Sequence, residues 1–195
     1  MCNDYEQHVK YAEYLRALAA AELSGSAGDE AALASADDVR IGDTGPVLRA
    51  SGNGVELVPM RLGFPPPRPK AGPVFNFKSD GRSFAESRRC VVVASGFFEF
   101  TGTRYPKTKH RFVLAGSPVM GIAGLWSEDK DGVLSFTMLT TEPGPDVAPI
   151  HDRQVCVLTP AEWAAWLFLT RPEPELLRPL PAGHLAVDVV REGLD

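Results

Sequence analysis

Glu99 is the residue whose surroundings most strongly suggest chemistry, because it stands among the phenylalanines of residues 96–100, Gly-Phe-Phe-Glu-Phe. The residues just before this run, 90–94, are Cys-Val-Val-Val-Ala, and they predict a buried strand. A carboxylate is expensive to bury without a partner. Two interpretations therefore stay open: strand alternation turns Glu99 to solvent, or Glu99 is a pocket carboxylate suited to proton transfer near neutral pH.

The composition is that of an ordinary globular protein. The chain has 195 residues, of which 44% are hydrophobic, so one domain can bury a sufficient core without a disulfide or a metal. The three cysteines are widely spaced and form no zinc pattern, and the sequence indicates no cofactor. No apolar run reaches membrane-spanning length, and the first residues do not resemble a signal peptide. We therefore expect a cytoplasmic protein that does not contact a membrane.

The charge of the chain is unevenly distributed. Residues 1–60 have a net charge of −6, residues 61–111 a net charge of +8, and residues 112–195 a net charge of −7. A basic middle third between acidic ends favours a polyanionic partner. The alternative is a solvated basic face that pairs with the acidic thirds, and composition alone does not separate the two.

The elements that would position Glu99 are mostly short strands. Apolar spacing predicts a helix over residues 4–21, followed by a strand-rich body over residues 40–158. Within that body we expect a hairpin at residues 47–58 and paired strands at residues 111–115 and 119–126. A second helix is predicted over residues 160–169, capped by Thr159 with Pro160 in its first turn, and a last strand over residues 185–190. The pattern predicts a single α+β domain spanning residues 1–195.

Four features occur in order along nearly the whole chain: Met-Cys at residues 1–2, Asn76 in a short predicted strand, the run at residues 96–100, and Pro-Ile-His-Asp-Arg at residues 149–153. This ordered set resembles the SOS response-associated peptidase (SRAP) family, the abasic-site processing proteins. The resemblance implies a mostly antiparallel, barrel-like β core with a few flanking helices. It also implies removal of the initiator methionine by the protein itself and covalent capture of abasic sites in single-stranded DNA.

The resemblance assigns a role to four residues, Cys2, Asn76, Glu99 and His151. Without Met1, the α-amine of Cys2, with an ordinary pKa of about 7.7–8.0, can attack the aldehyde of an opened abasic sugar, and the thiol can close a thiazolidine. Glu99 would handle protons, His151 would assist sugar opening, and Asn76 would position the cysteine. The plainer alternatives are a chance terminal cysteine, a turn histidine and a turn-capping amide. If the family mechanism applies, all four should converge on one cleft floored by Asn76.

The basic middle third and the resemblance together predict a DNA-binding face, which would include Arg61, Lys78, Arg82, Arg104 and Arg153. The chain departs from the family pattern here, since it has Asn-Asp-Tyr rather than Gly-Arg-Phe after the cysteine. Leu62 stands where the family has a tryptophan, which predicts a weaker stacking platform. The DNA-binding set is therefore less well matched than the catalytic set.

Three functions remain open from the sequence. The first is an enzyme that cross-links to abasic single-stranded DNA, which would act as a monomer in the cytoplasm and associate with the nucleoid when bound to DNA. The second is a peptidase that acts on other substrates. The third is a DNA- or protein-binding module that keeps the SRAP fold without catalysis.

Overall fold

The computed structural model describes residues 4–26 and 30–194, so Cys2 lies outside the described residues. In chain order the strands are β1 Asp4–Gln7, β2 Gly25–Ser26, β3 Ala36–Arg40, β4 Thr44–Ser51, β5 Gly54–Leu62, β6 Asn76–Lys78, β7 Arg89–Ala94, β8 Gly96–Thr101, β9 Thr108–Leu114, β10 Met120–Glu128, β11 Leu134–Thr141, β12 Gln154–Val155, β13 Val157–Leu158 and β14 Leu185–Arg191. The α-helices are α1 Tyr11–Ala20, α2 Trp163–Phe168 and α3 Glu173–Leu176, with 3-10 turns at Glu30–Leu33 and Pro160–Glu162.

The described strands form two sheets. One has the order β14-β9-β8-β1-β3, and the other runs β12-β11-β10-β7-β4-β5-β2. Because β11 also pairs with β5 in parallel, the strands β11, β10, β7, β4 and β5 form a closed ring. The fold is a single α+β domain, and its core is a ring of strands with mixed pairings rather than a regular barrel.

Two clusters of buried side chains hold these layers together. The inner cluster fills the space between the two sheets and contains the stacked rings of Phe97 and Phe112, whose centroids are 5.0 Å apart. The outer cluster packs α1 and α2 on the other face of the larger sheet. There the indole of Trp166 is fully buried and donates a 2.8 Å hydrogen bond to the Cys90 carbonyl. Strands β7 and β10 are therefore covered on both faces, which explains their continuous apolar sequences.

The helix predicted over residues 4–21 is wrong in its first part, because residues 4–7 form β1 and α1 begins only at Tyr11. All four residues of β1 are buried, and the strand pairs with both β8 and β3. Tertiary pairing on both sides has overridden the apolar spacing that favoured a helix. The strand is relevant to function, since β1 begins two residues after Cys2.

The predicted pairing of residues 111–115 with residues 119–126 is also wrong. Strand β9 pairs with β8 and β14, whereas β10 pairs with β7, β11 and β13. The short turn between β9 and β10 is thus a corner at which the chain passes from one sheet to the other. A turn of this length normally indicates a hairpin, and only the long-range pairings reveal the exception.

The remaining predicted elements are confirmed with small shifts. Strands β4 and β5 form the expected hairpin, and β14 extends the predicted last strand by one residue, to Arg191. The second helix begins as a 3-10 turn, where the Thr159 backbone N–H donates a 2.9 Å hydrogen bond to the Glu162 carboxylate. Among the described residues, no helix is both long and apolar enough to cross a bilayer.

Candidate active site

Strand β8 carries Glu99 into the protein rather than out to solvent. Phe97, two residues earlier on the same face, belongs to the inner core and is fully buried. Glu99 follows that face and is only 1% exposed. The interpretation of Glu99 as a solvated strand residue is therefore wrong, because the face of β8 that carries Phe97 and Glu99 points into the protein and not to solvent.

A loop held by several backbone hydrogen bonds presents His151 to the same region. The fully buried side chain of Gln154 accepts a 2.6 Å hydrogen bond from the Gly144 N–H and so joins the two ends of this loop. The His151 N–H donates to the Val147 carbonyl at 3.0 Å. The Arg153 N–H in turn donates to the imidazole Nδ1 at 3.0 Å, which fixes the ring plane.

Glu99 and His151 face each other across the site. The Nε2 atom of His151 lies 3.7 Å from the Glu99 Oε2 atom. The Nδ1 atom lies within hydrogen-bonding distance of both the Arg153 N–H, at 3.0 Å, and the Arg153 carbonyl oxygen, at 3.1 Å, so the hydrogen of the neutral imidazole can be on either ring nitrogen. Burial lowers the pKa of His151, and the Asp152 carboxylate, 3.0 Å from Nδ1 and 91% exposed, only partly opposes this effect. The pair is thus arranged so that one proton can pass between it and a bound substrate.

The pair lies on the wall of a cleft of about 630 Å³. Asp4 of β1, two residues after Cys2, also lines this cleft. Four cationic side chains and three larger apolar or aromatic ones complete the lining: Arg40, Lys107, Lys109, Arg191, Ile41, Phe100 and Tyr105. Tyr105 is 83% exposed. A cleft lined by four cations and two carboxylates suits a phosphate-bearing substrate that requires proton transfer.

Asp4 is buried despite its charge. It is 6% exposed, and its Oδ2 lies 3.6 Å from the Lys109 Nζ atom. Burial raises the pKa of Asp4 from an ordinary 3.8 to about 6, and the neighbouring Lys109 ammonium only partly opposes the rise. Asp38, which also contacts Lys109, behaves differently. Its burial alone would raise the pKa, but hydrogen bonds from Lys109 and Arg40 outweigh that effect and lower the pKa of Asp38.

Of the four residues expected to converge, Glu99 and His151 face each other, and the convergence of Cys2 and Asn76 with them stays a prediction. Cys2 lies outside the described residues. Asn76 is half-buried at the start of β6, beside Met138 of β11. It is not among the described residues that line the cleft. The role of Asn76 in positioning the cysteine stays a prediction.

Three of the five cations predicted to bind DNA lie on β5, on β6 and in the turn after β6, and both strands pair with β11. Arg61 is exposed on β5 and lines a separate groove of about 310 Å³. Lys78 is exposed on β6, and the Arg82 guanidinium lies 5.7 Å from the centre of the Phe77 ring. Leu62, by contrast, is fully buried in the inner core. A side chain at that position could not serve as a stacking surface without leaving the core.

The other two predicted cations are held by the protein itself. Arg104 donates a 2.6 Å hydrogen bond to the Leu194 carbonyl. Arg153 donates to Asp80 at 2.6 Å and to the Thr140 carbonyl at 2.9 Å, and this contact lowers the pKa of Asp80. Arg153 therefore braces the segment that follows His151. Its contact with a phosphate stays a prediction.

Sequence reasoning missed the residues that line the cleft beside Glu99 and His151. Arg40, Lys107, Lys109 and Arg191 come from three separate places in the sequence, and only the assembly of β3, β9 and β14 into one sheet brings them together. One available signal was the polar start of β1, in which Asp4 and Glu6 alternate with Tyr5. Such alternation is typical of a strand with one charged face.

The comparisons with known proteins point to one family, whose model covers nearly the whole chain while the curated relatives match about half of it. Residues 1–194 match the family model described as SOS response associated peptidase (SRAP). An abasic site processing protein of Saccharomyces cerevisiae is 32% identical over 85 residues, which are 42% of this chain and 23% of that protein. One of Bacillus subtilis is 31% identical over 109 residues, which are 53% of this chain and 48% of that protein. The matched part thus spans less than half the length of these curated relatives.

Solved structures with the same fold cover almost the whole chain. A protein from Bordetella bronchiseptica superposes with a TM-score of 0.74 and 24% identity over 97% of this chain and 100% of that one. A protein from Bacteroides thetaiotaomicron gives a TM-score of 0.72 and 20% identity over 97% of this chain and 92% of that one. At this level of identity the likeness establishes the fold alone.

Proposed function

Because the chain belongs to the SOS response associated peptidase (SRAP) family, we propose that it processes abasic sites in single-stranded DNA by forming a covalent cross-link through Cys2. Relatives in yeast and in Bacillus subtilis bear the name abasic site processing protein. The observation that carries the proposal is the Glu99–His151 pair on the wall of a cleft that also includes Asp4, two residues after Cys2.

The proposed chemistry has two stages. Hydrolysis of the Met1–Cys2 bond consumes one water, releases methionine and frees the Cys2 amine. That amine then adds to the aldehyde carbon of the opened abasic sugar, and loss of one water gives an imine. The Cys2 sulfur adds to the imine carbon while a proton moves to the nitrogen, which closes a five-membered thiazolidine. No oxidant or reductant is needed at any step.

The residues of the cleft suit these steps. Glu99, buried and facing His151, is placed to accept a proton from the attacking amine and to return it to the departing hydroxyl. The neutral form of His151 that carries its hydrogen on Nε2 can donate to the ring oxygen of the sugar as the ring opens. The four cations of the lining offer contacts to the phosphates on either side of the abasic sugar.

A cross-linking assay tests the proposal. The protein is incubated with a single-stranded oligonucleotide that contains one abasic site, and a matched oligonucleotide without the site serves as the control. Denaturing electrophoresis should show a heat-stable adduct with the abasic strand alone. Cys2→Ala should give no stable adduct, because the sulfur that closes the ring is missing. A normal yield of stable adduct from that variant would overturn the thiazolidine step.

Two other functions are compatible with the same fold, and the adduct assay together with intact mass separates them from the first. A binding module without catalysis should retain Met1 and give no adduct with abasic DNA. A peptidase that acts on other substrates should lose Met1 yet give no adduct. Ordinary methionine aminopeptidase can also remove Met1, so the adduct, rather than the missing methionine, decides in favour of abasic-site processing.

A further inference from the structure

Strand β1 is held by two basic side chains that do not come from its neighbouring strands. In its sheet, β8 lies between β1 and β9. Lys109 and Arg111 of β9 nevertheless reach across β8 and bind the carboxylates of β1. The Lys109 ammonium crosses over the Phe98 ring, 3.5 Å from its centre, to reach Asp4. The chain that follows the N-terminal cysteine is thus fixed by two ion pairs on one face of the sheet.

The Glu6 pair has the geometry of a structural contact. The Arg111 Nε and Nη2 atoms lie 2.8 and 2.5 Å from the two oxygens of Glu6, and the Ser95 hydroxyl donates to the same carboxylate at 3.0 Å. A Cβ atom at Gly96 would lie 2.8 Å from the Glu6 Oε1 atom, so only glycine leaves room for this carboxylate. The hydrogen bond with Glu6 also raises the pKa of Arg111.

The Asp4 pair is different in three respects. Its 3.6 Å separation is longer, it involves a single ammonium, and that ammonium also contacts Asp38. Asp4 lines the cleft that contains Glu99 and His151, whereas Glu6 lines a separate hollow of about 370 Å³. Asp4 is therefore the one of the two carboxylates that belongs to the candidate site.

The Asp4 carboxylate opposes folding at neutral pH. Its pKa is raised to about 6 in the folded protein, above the ordinary 3.8, so the unfolded chain loses this proton more easily. The stability contributed by protonated Asp4 is complete below about pH 4 and is lost as the pH rises through about 6. A carboxyl group that the folded protein favours in its neutral form is typical of a functional position rather than of a stabilising one.

We propose that Asp4 is a positioning residue for the N-terminal nucleophile, acting through the ion pair by which Lys109 holds the start of β1 against the cleft. This inference rests on the proposed function of Cys2. Two residues of chain span at most about 7 Å, so the place of Asp4 limits where the Cys2 amine can reach. A shift of about 1 Å in a reacting group can lower a rate by about a hundredfold.

The charged groups around Asp4 come from every element packed against it. Lys109 lies on β9, Asp38 and Arg40 on β3, and Arg191 on β14, while Glu99 and His151 lie on the shared cleft wall. His151, whose pKa is lowered by burial from an ordinary 6.5, and the Cys2 amine, with an ordinary pKa of about 7.7–8.0, also change charge near the pH range in which Asp4 does. The test therefore uses the ratio of two rates, in which titrations common to both proteins cancel.

The test compares Asp4→Asn with Glu6→Gln, which breaks the other ion pair of the same strand. Cross-linking of the abasic oligonucleotide is measured from pH 5 to pH 8, together with the free energy of unfolding. Above pH 7 we expect Asp4→Asn to react about tenfold or more slowly than wild type, with the difference disappearing near pH 5, and to be at least as stable as wild type. Glu6→Gln should be less stable, yet its ratio to wild type should not change with pH.

A second variant and a second substrate keep the two proposals separate. Lys109→Gln should react as slowly as Asp4→Asn above pH 7 and should abolish the rate difference that depends on Asp4, because the ammonium through which Asp4 acts is gone. Glycolaldehyde, a small aldehyde without phosphate, replaces DNA, and its thiazolidine adduct is detected by intact mass. Dependence of that adduct on Asp4 in a protein that never cross-links DNA would support this inference and overturn the proposed function. Identical pH profiles for wild type and Asp4→Asn, or the same change in Glu6→Gln, would overturn the inference.

Discussion

The cleft wall and the cations carried by β5, β6 and the turn after β6 are built in opposite ways. On the cleft wall, Glu99 is 1% exposed, and the His151 ring is fixed by the Arg153 N–H at 3.0 Å. In the second group, Arg61 and Lys78 are exposed, and the Arg82 guanidinium lies 5.7 Å from the centre of the Phe77 ring. Proton transfer requires atoms held to within fractions of an ångström, whereas contacts to phosphates tolerate long, mobile side chains.

This difference predicts two scales of effect. A change on the cleft wall removes an interaction that has no substitute, so the rate should fall steeply. A change at one of these exposed cations removes one of several charges, so the affinity for DNA should fall modestly and depend on salt. The experiments below test that contrast in order of the effect expected.

Glu99→Gln should have the largest effect among the cleft variants other than Cys2→Ala. Glutamine keeps the shape of the side chain and removes its titration, so the domain should fold, while cross-linking should slow by about 10²–10⁴-fold. Single-turnover cross-linking rates with the abasic oligonucleotide measure the change. Glu56→Gln is the matched control, because Glu56 forms a half-buried 2.7 Å ion pair with Arg49 away from the cleft. A rate for Glu99→Gln equal to that of the control would exclude Glu99 as the proton carrier.

His151→Gln should have a smaller effect, of about 10²-fold, and the effect should depend on pH. Burial lowers the pKa of His151 below 6.5, so the ring is neutral at pH 7 and becomes charged only at lower pH. Because the unfolded chain takes up this proton more readily, stability should fall as the pH drops below 6.5, and this part of the loss should be absent in the variant. Rates and unfolding measured from pH 5 to pH 8 test both statements. A rate ratio that is constant across this range would contradict the assigned role.

The two residues proposed for proton transfer were easier to predict from the sequence than the cations that line the cleft beside them. Glu99 was identified because a carboxylate within an aromatic run is an unusual setting, and His151 was identified from the segment of residues 149–153 that resembles the SRAP family. Their convergence depends on β8 and on the loop that Gln154 closes. The hairpin of β4 and β5 and the capped start of the second helix were also predictable, because local turn and cap chemistry determines them.

The failures came from long-range pairing. Tyr5 of β1 fits the helical spacing of the apolar residues that follow it, and only pairing with the neighbouring strands β8 and β3 makes residues 4–7 a strand. The turn between β9 and β10 has the length of a hairpin turn, yet the two strands belong to different sheets. The cations of the cleft were missed for the same reason, since nothing local in the sequence brings Arg40 near Lys107.

Lys107→Gln and Lys78→Gln compare the two surfaces directly with the same substitution. Both lysines are exposed, but Lys107 lines the cleft and Lys78 lies on β6. If bound DNA runs from the cleft along β6, each variant should lower the slope of log affinity against log salt by about 0.7, the value for one phosphate of a single strand. Binding of a fluorescent single strand at several salt concentrations gives the slopes. A wild-type slope for Lys78→Gln would restrict the DNA to the cleft.

Tyr105→Ala should have the smallest effect, and it tests where a base can stack. The position of the family tryptophan is occupied here by Leu62, which is fully buried, whereas Tyr105 is 83% exposed at the cleft. A base stacked on an aromatic ring contributes about 1–3 kcal/mol, which corresponds to a loss of affinity of about 5- to 150-fold, and we expect the lower end at so exposed a site. Tyr105→Phe keeps the ring and should bind like wild type. Leu15→Ala, on the exposed surface of α1, controls for the loss of exposed apolar area.

Because the ring would stack on a neighbouring base rather than touch the abasic sugar, Tyr105→Ala should weaken binding while leaving the cross-linking rate at saturating DNA unchanged. A loss of rate at saturation would instead place Tyr105 with the cleft wall, as a residue that orients the reacting sugar.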